Sequence, residues 1–124
     1  MPGRLRPLST AALGDLLARL EAAHLSGTSV DPDDERAAVK HYLAVLATRL
    51  PGKSVEVRVP PYAAVQCLEG ARHTRGTPPA VVETDATTWL ALARGEESFI
   101  AALRDGRVRA SGERSDLTAH LPLI

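Results

Sequence analysis

The sequence predicts an α+β fold, with a small, mostly antiparallel sheet of about four to five strands and helices packed on one of its faces. Three observations predict it. Apolar residues recur at helical spacing in the first fifty positions, they alternate with polar residues in the middle of the chain, and helical segments then return around one further strand. At 124 residues the chain has the length of one domain. We expect residues 1–124 to form that domain, with 1–8 as a loose N-terminal tail.

The first two predicted elements are helices. Ser9 is suited to the N-cap of a helix over about 10–25, in which leucines recur at helical spacing until Gly27. The second helix begins at Asp31, which is followed by a proline and three carboxylates, where the positive end of the helix dipole favours negative charge. Its apolar face continues to Leu50, and Pro51 ends it.

The hydrophobic period then changes from helical to alternating. Residues 55–59 place three valines between charged side chains, which is typical of a strand with one buried face. Residues 62–69 predict a second strand, and 81–83 a short third one. The two glycines and two prolines of residues 70–79 predict a loop between them.

Helix signals return in the last third of the chain. Asp85 is suited to cap a helix that ends near Ala93, and the pair Glu96 and Glu97 to open another that ends at Gly106. Residues 107–110 alternate again, and a short leucine-bearing helix follows. The predicted order is α-α-β-β-β-α-α-β-α.

Charge and cysteine content exclude several classes of protein. Fifteen basic and fifteen acidic residues cancel, so no field of one sign is available to bind nucleic acid. The single cysteine, Cys67, excludes an internal disulfide and a cysteine-cluster metal site. The longest uncharged stretch, residues 59–68, is far shorter than the roughly 20 apolar residues of a membrane span. No signal-peptide core precedes Asp15, so we expect a cytoplasmic protein without a transmembrane segment.

No catalytic constellation is visible. The four histidines form no metal-ligand pair, and no Gly-x-Ser-x-Gly nucleophile elbow occurs. The triplet at 52–54, Gly-Lys-Ser, copies the end of a phosphate-binding loop, but Ala47 stands where that loop needs glycine. We therefore predict no enzyme, no metal and no cofactor.

Few bulky side chains are available to fill the space between sheet and helices. With four aromatic residues and many alanines, the chain leaves room there for an apolar cavity, the alternative being ordinary core packing. The residues predicted to line this cavity are Val57, Val65, Trp89, Leu90, Leu92, Phe99, Leu103, Leu117 and Leu121. Arg72 and Arg75 lie in the polar loop 72–77, which either receives a carboxylate or phosphate at the mouth of the cavity or forms a solvated turn.

Several segments of the second half resemble the sterol carrier protein family. Residues 89–95 match its apolar L-x-L-x-x-G helix, a second helix follows, and residues 106–112 match its G-[KR]-[VL]-x-[IAV]-x-G strand, which leads into the helix that closes a lipid tunnel. Residues 55–84 resemble the small bacterial group of that family. The resemblance covers about residues 10–124.

The resemblance implies a sterol-carrier-like fold and non-enzymatic binding or carriage of an apolar or acyl-chain ligand between sheet and helices. The same fold also serves enzymes as an accessory domain. An alternative is therefore an interaction module whose groove docks a helix of a partner enzyme, or a second copy in a homodimer. A third hypothesis is an enzyme that uses loop 72–77 on a small anionic substrate.

Overall fold

The computed structural model describes residues 4–70, 80–112 and 115–124, and it opens with the two expected helices. Helix α1 spans Thr10–Ser26, and the Ser9 hydroxyl accepts a hydrogen bond from the Ala12 N–H at 3.1 Å. Helix α2 spans Pro32–Arg49, and an Asp31 carboxylate oxygen accepts from the Asp33 N–H at 2.7 Å. Both helices therefore begin at the caps that the sequence indicates.

Among the described residues, the sheet has four strands in the order β2-β1-β3-β4. They are β1 (Val55–Val59), β2 (Ala63–Cys67), β3 (Ala80–Thr84) and β4 (Val108–Ser111). β1 pairs antiparallel with β2 and parallel with β3, and β3 pairs antiparallel with β4. The prediction of a small, mostly antiparallel sheet is confirmed, and β2 lies at one edge of it.

One face of the sheet carries the core. The register places Val57 between Val65 of β2 and Val82 of β3, and the core side chains of α2 and α3 pack against this row. On the opposite face Arg58 and Arg109 flank Glu83 and are exposed to solvent. The alternation in residues 55–59 therefore separates a buried face from a charged one, as predicted.

The C-terminal elements follow the predicted order with two differences. Helix α3 spans Ala86–Ala93 and α4 spans Phe99–Arg104. The N-cap of α4 is Ser98, whose hydroxyl accepts a hydrogen bond from the Ala101 N–H at 3.0 Å, so the helix does not open at Glu96 and Glu97 as predicted. The last helix is a single 3-10 turn, Thr118–His120. Pro122 explains the short turn, because the residue before a proline is disfavoured in helical conformation and Leu121 is extended.

Candidate ligand-binding cleft

Most of the predicted cavity residues come together in the core. Val57, Trp89, Leu92, Phe99 and Leu117 belong to one buried cluster, and Val65, Leu90 and Leu121 pack against it while partly buried. Leu103 lies on an exposed face of α4, with 41% of its surface accessible. Arg72 and Arg75 lie outside the described residues.

The centre of this cluster is Trp89. Only 1% of its surface is exposed, and its indole N–H points to the carbonyl oxygen of Val39 at 3.4 Å. This contact joins α3 to α2 within the same buried cluster that holds the valines of β1. In this structure the space between sheet and helices is filled there by packed side chains.

A half-open cleft of about 640 Å³ lies beside this core, along the edge strand β2. Its walls are the N-terminal segment, the second half of α2 with the turn that follows, and β2 with the residue before it. The lining residues are Arg4, Leu5, Lys40, Ala47, Thr48, Pro51, Gly52, Tyr62, Ala63, Ala64, Val65 and Gln66. Of the predicted cavity residues, Val65 alone lines it, so the cleft adjoins the predicted cavity.

Small residues and a close backbone approach create the cleft. Ala47 of α2 and Ala63 of β2 leave the space between these two elements unfilled. At its inner end, Gly52 has φ +149°, and a β-carbon there would lie 2.0 Å from the carbonyl oxygen of Leu68. Glycine therefore lets the chain after α2 pass directly over the end of β2.

Tyr62, one of the lining residues, makes two defined side-chain contacts. Its hydroxyl donates a hydrogen bond to a Glu35 carboxylate oxygen at 2.7 Å, and the Arg36 guanidinium lies 5.7 Å from its ring centre. The hydrogen bond to Glu35 is the main cause that raises the pKa of Tyr62. Lys40 and Arg4 add two cationic side chains to the lining, so the cleft combines an apolar wall with positive charge.

The N-terminal wall, residues 4–9, is here termed the strap. Leu5 packs against the core cluster, and the backbone N–H of Leu8 donates to Nδ1 of His41 at 2.9 Å. His41 is 6% exposed, and its ring meets that of Tyr42 edge-on at 4.8 Å. Burial lowers the pKa of His41 below its ordinary value of 6.5. The looseness expected for residues 1–8 stays a prediction, but two of these residues make defined contacts.

Two smaller depressions lie elsewhere on the surface. One, of about 310 Å³, runs between the start of α4 and the 3-10 turn, and Phe99 and Leu121 of the predicted set both line it. The other, of about 390 Å³, is polar and includes Glu83, Asp85 and Arg109. Neither reaches the size of the cleft beside β2.

Among the described residues, the cysteine is not a reactive nucleophile and no metal-binding cluster forms. Cys67 is fully buried, and burial raises its pKa to about 11, which keeps the thiol protonated and unreactive. Within the three described ranges, no three His, Cys, Asp or Glu side chains lie together as a metal ion would require. Among the same residues, none of the helices has the length and apolarity needed to cross a membrane.

Sequence reasoning missed the strap, Lys40 and Tyr62 as lining residues. Lys40 and Tyr62 are far apart in the chain, and both line the cleft because β2 lies at the edge of the sheet next to α2. The hydrophobic pattern predicts that β2 has a buried face, but it carries no information about which strand is outermost. The alanine-rich face at the end of α2 was the one signal available.

Two comparisons with known proteins bear on the family of this chain. No curated protein matches the chain. The family model described as "Bacterial SCP ortholog" matches residues 31–123, from the N-cap of α2 to the last residue but one, and it includes every strand of the sheet and the α2 and β2 walls of the cleft. Because this match covers well over half of the sequence and agrees with the order of elements, the chain belongs to the bacterial sterol carrier protein ortholog family.

Proposed function

We propose that this protein binds an apolar or acyl-chain small molecule without transforming it, in the cleft beside β2. The observation that carries the proposal is the cleft itself, a half-open space of about 640 Å³ in a member of this family. Small-molecule sites in proteins have volumes of ~300–1,000 Å³, so the space suits one ligand of moderate size.

The lining favours a ligand with an apolar body. Leu5, Ala63 and Val65 offer aliphatic surface, and burying a chain against it contributes about 25 cal/mol for each Å² of apolar surface removed from water. Lys40 and Arg4 favour an anionic or strongly polar end group. A fatty acid or another acyl compound has both features.

The predicted cavity residues fit this proposal as the inner end of the same site. Val65 lines the cleft and is paired in the sheet with Val57, which belongs to the same buried cluster as Trp89. A longer chain would extend past Val65 by displacing side chains of that cluster. The proposed role of Arg72 and Arg75 is to receive the charged end of such a ligand.

The test is a titration with dansyl-labelled undecanoic acid, whose emission increases when it leaves water. We expect saturable binding at one molecule per chain. Ala47→Phe places a ring in the cleft and should abolish most of the signal, whereas Ala22→Phe, on the exposed side of α1, should bind as the unmodified protein does. No binding, or equal binding by both variants, would contradict the proposal.

A second candidate function is docking of another copy of this chain. The observation that favours it is the free side of β2, which in the described part of the chain pairs only with β1. An edge strand offers unpaired backbone groups to a strand of another molecule. Sedimentation of the protein over a range of concentrations checks this, with a dimer expected under this hypothesis and a monomer under the first.

A further inference from the structure

The strap is joined to the body of the protein by a hydrogen bond to a buried histidine. The Leu8 N–H donates to Nδ1 of His41 at 2.9 Å, and His41 is 6% exposed. Arg4 and Leu5, a few residues earlier in the strap, line the cleft. The position of this wall therefore depends on a contact to a side chain that lies outside the cleft lining.

The donor in this contact fixes the protonation of the ring. A backbone N–H can only donate, so Nδ1 of His41 must carry a lone pair, and the proton of the neutral ring lies on Nε2. If the ring becomes protonated, Nδ1 also carries a hydrogen, and two donors face each other across 2.9 Å. The bond between strap and α2 is then lost.

We propose that His41 is a pH-sensitive latch, whose protonation releases the strap and opens the cleft to exchange of its ligand. The proposal rests on the proposed function in so far as it concerns ligand exchange, but release of the strap itself is independent of any ligand. Histidine is suited to such a role because its charge changes between about pH 5 and pH 8.

The surroundings of His41 set the range of pH over which the latch works. Tyr42 touches its ring, Lys40 lies beside it in α2, and Arg4 and Arg6 are the charged residues of the strap. The pKa of His41 is lowered by burial, with no charged neighbour among the causes. Above pH 6.5, the ordinary pKa of histidine, the ring is therefore neutral and the hydrogen bond to the strap is intact. The bond is lost as the pH falls below that value.

The first experiment measures exchange of the Leu8 amide hydrogen in the ligand-free protein by NMR. The exchange rate is expressed as a protection factor, which removes the intrinsic effect of pH on exchange. As the pH falls from about 7.5 through the range in which the His41 ring becomes protonated, followed by the ring's own NMR signals, we expect protection to fall about three- to tenfold, the factor that one neutral hydrogen bond supports. His41→Asn keeps an acceptor near the position of Nδ1 and does not titrate, so its protection should stay constant. His24→Asn, at an exposed position of α1, should behave as the unmodified protein does.

The second experiment measures the dissociation rate of Nile red, an uncharged apolar dye whose own charge does not change over this range. We expect dissociation to accelerate about three- to tenfold on acidification in the unmodified protein but not in His41→Asn. Leu8→Pro removes the donor and leaves His41 in place, so its dissociation should be fast before and after acidification. Leu8 is on the surface of the strap, and this variant replaces His41→Asn if the latter does not fold.

The two readouts separate the latch from the proposed function. Leu8 protection that does not change with pH, or that changes equally in His41→Asn, overturns the latch even if the dye binds. Protection that falls as expected while no dye binds leaves the latch intact and overturns the proposed function. A dissociation rate of the dye that changes neither with pH nor in Leu8→Pro shows that the strap does not control the cleft, and this result overturns the proposal.

Discussion

Helices α1 and α2 have nearly the same length, 17 and 18 residues, but they differ in how the fold uses them. In α1 only Leu16 is buried, and its other leucines are half-buried or exposed. In α2 seven residues are buried, among them Leu43 and Leu46, because α2 packs against the sheet, α1 and α3. The clear leucine stripe therefore belongs to α1, the peripheral helix. In α2, which has neighbours on several sides, apolar and polar residues are less clearly separated between its faces. The family match begins at the cap of α2.

The largest expected effect tests the two helices by the same substitution. Leu43→Ala removes a side chain with no exposed surface from the core cluster, and we expect the free energy of unfolding to fall by about 2–5 kcal/mol. Leu17→Ala, at a half-buried position of α1, should cost about 1 kcal/mol or less. Urea denaturation measures both. Equal losses would mean that α1 is as much a part of the core as α2.

A second comparison concerns the glycines that follow the two helices. A β-carbon at Gly52, after α2, meets the carbonyl of Leu68 at 2.0 Å, whereas at Gly27, after α1, it meets nothing within 4 Å. Both have positive φ, so each alanine variant is strained, but Gly52 also clashes with backbone. We expect Gly27→Ala to cost about 1 kcal/mol and Gly52→Ala about 3 kcal/mol or more. Thermal unfolding measures the stability of the two variants. An equal loss in both would contradict the expected difference.

The smallest expected effect concerns the ion pair that joins the helices. Arg19 of α1 donates from Nε and Nη2 to the carboxylate of Asp34 at 3.1–3.2 Å, at a site where the Arg19 side chain is 57% exposed. Arg19→Gln should lower the unfolding midpoint slightly at low salt and leave it unchanged at high salt, because solvent and ions screen exposed pairs. A double-mutant cycle with Asp34→Asn measures the coupling. Strong coupling that persists at high salt would mean that this pair, and not Leu16, holds α1 in place.

Helix and strand positions could be predicted where the signals were local. Ser9 and Asp31 cap their own helices, and the valines of β1 alternate within five residues. The start of α4 could not be predicted in this way, because Ser98 caps the helix and the two glutamates before it do not. The Glu97 carboxylate instead accepts two hydrogen bonds from Arg107, ten residues later, and this bond lowers the pKa of Glu97.

The candidate site was less predictable because it depends on strand order. The sequence places β2 between β1 and β3 along the chain, but in space β1 lies between β2 and β3. This arrangement leaves β2 at an edge of the sheet and places Val65 in the lining of the same cleft as Lys40 and Leu5. The prediction that Trp89 lies on the inner face of its helix agrees with its burial, but no local signal distinguishes a packed indole from one that lines an empty cavity.

The single cysteine makes the opening of the edge strand measurable by chemistry. Cys67 is the last residue of β2, and its thiol is buried and protonated in the folded chain, with a pKa of about 11. A thiol reagent reacts with the thiolate, so modification proceeds through molecules in which local opening or global unfolding exposes the end of β2. With one cysteine in the sequence, each modified molecule records one such event. The rate of labelling thus reports how large a fraction of the molecules has opened at this wall of the cleft, without any engineered probe.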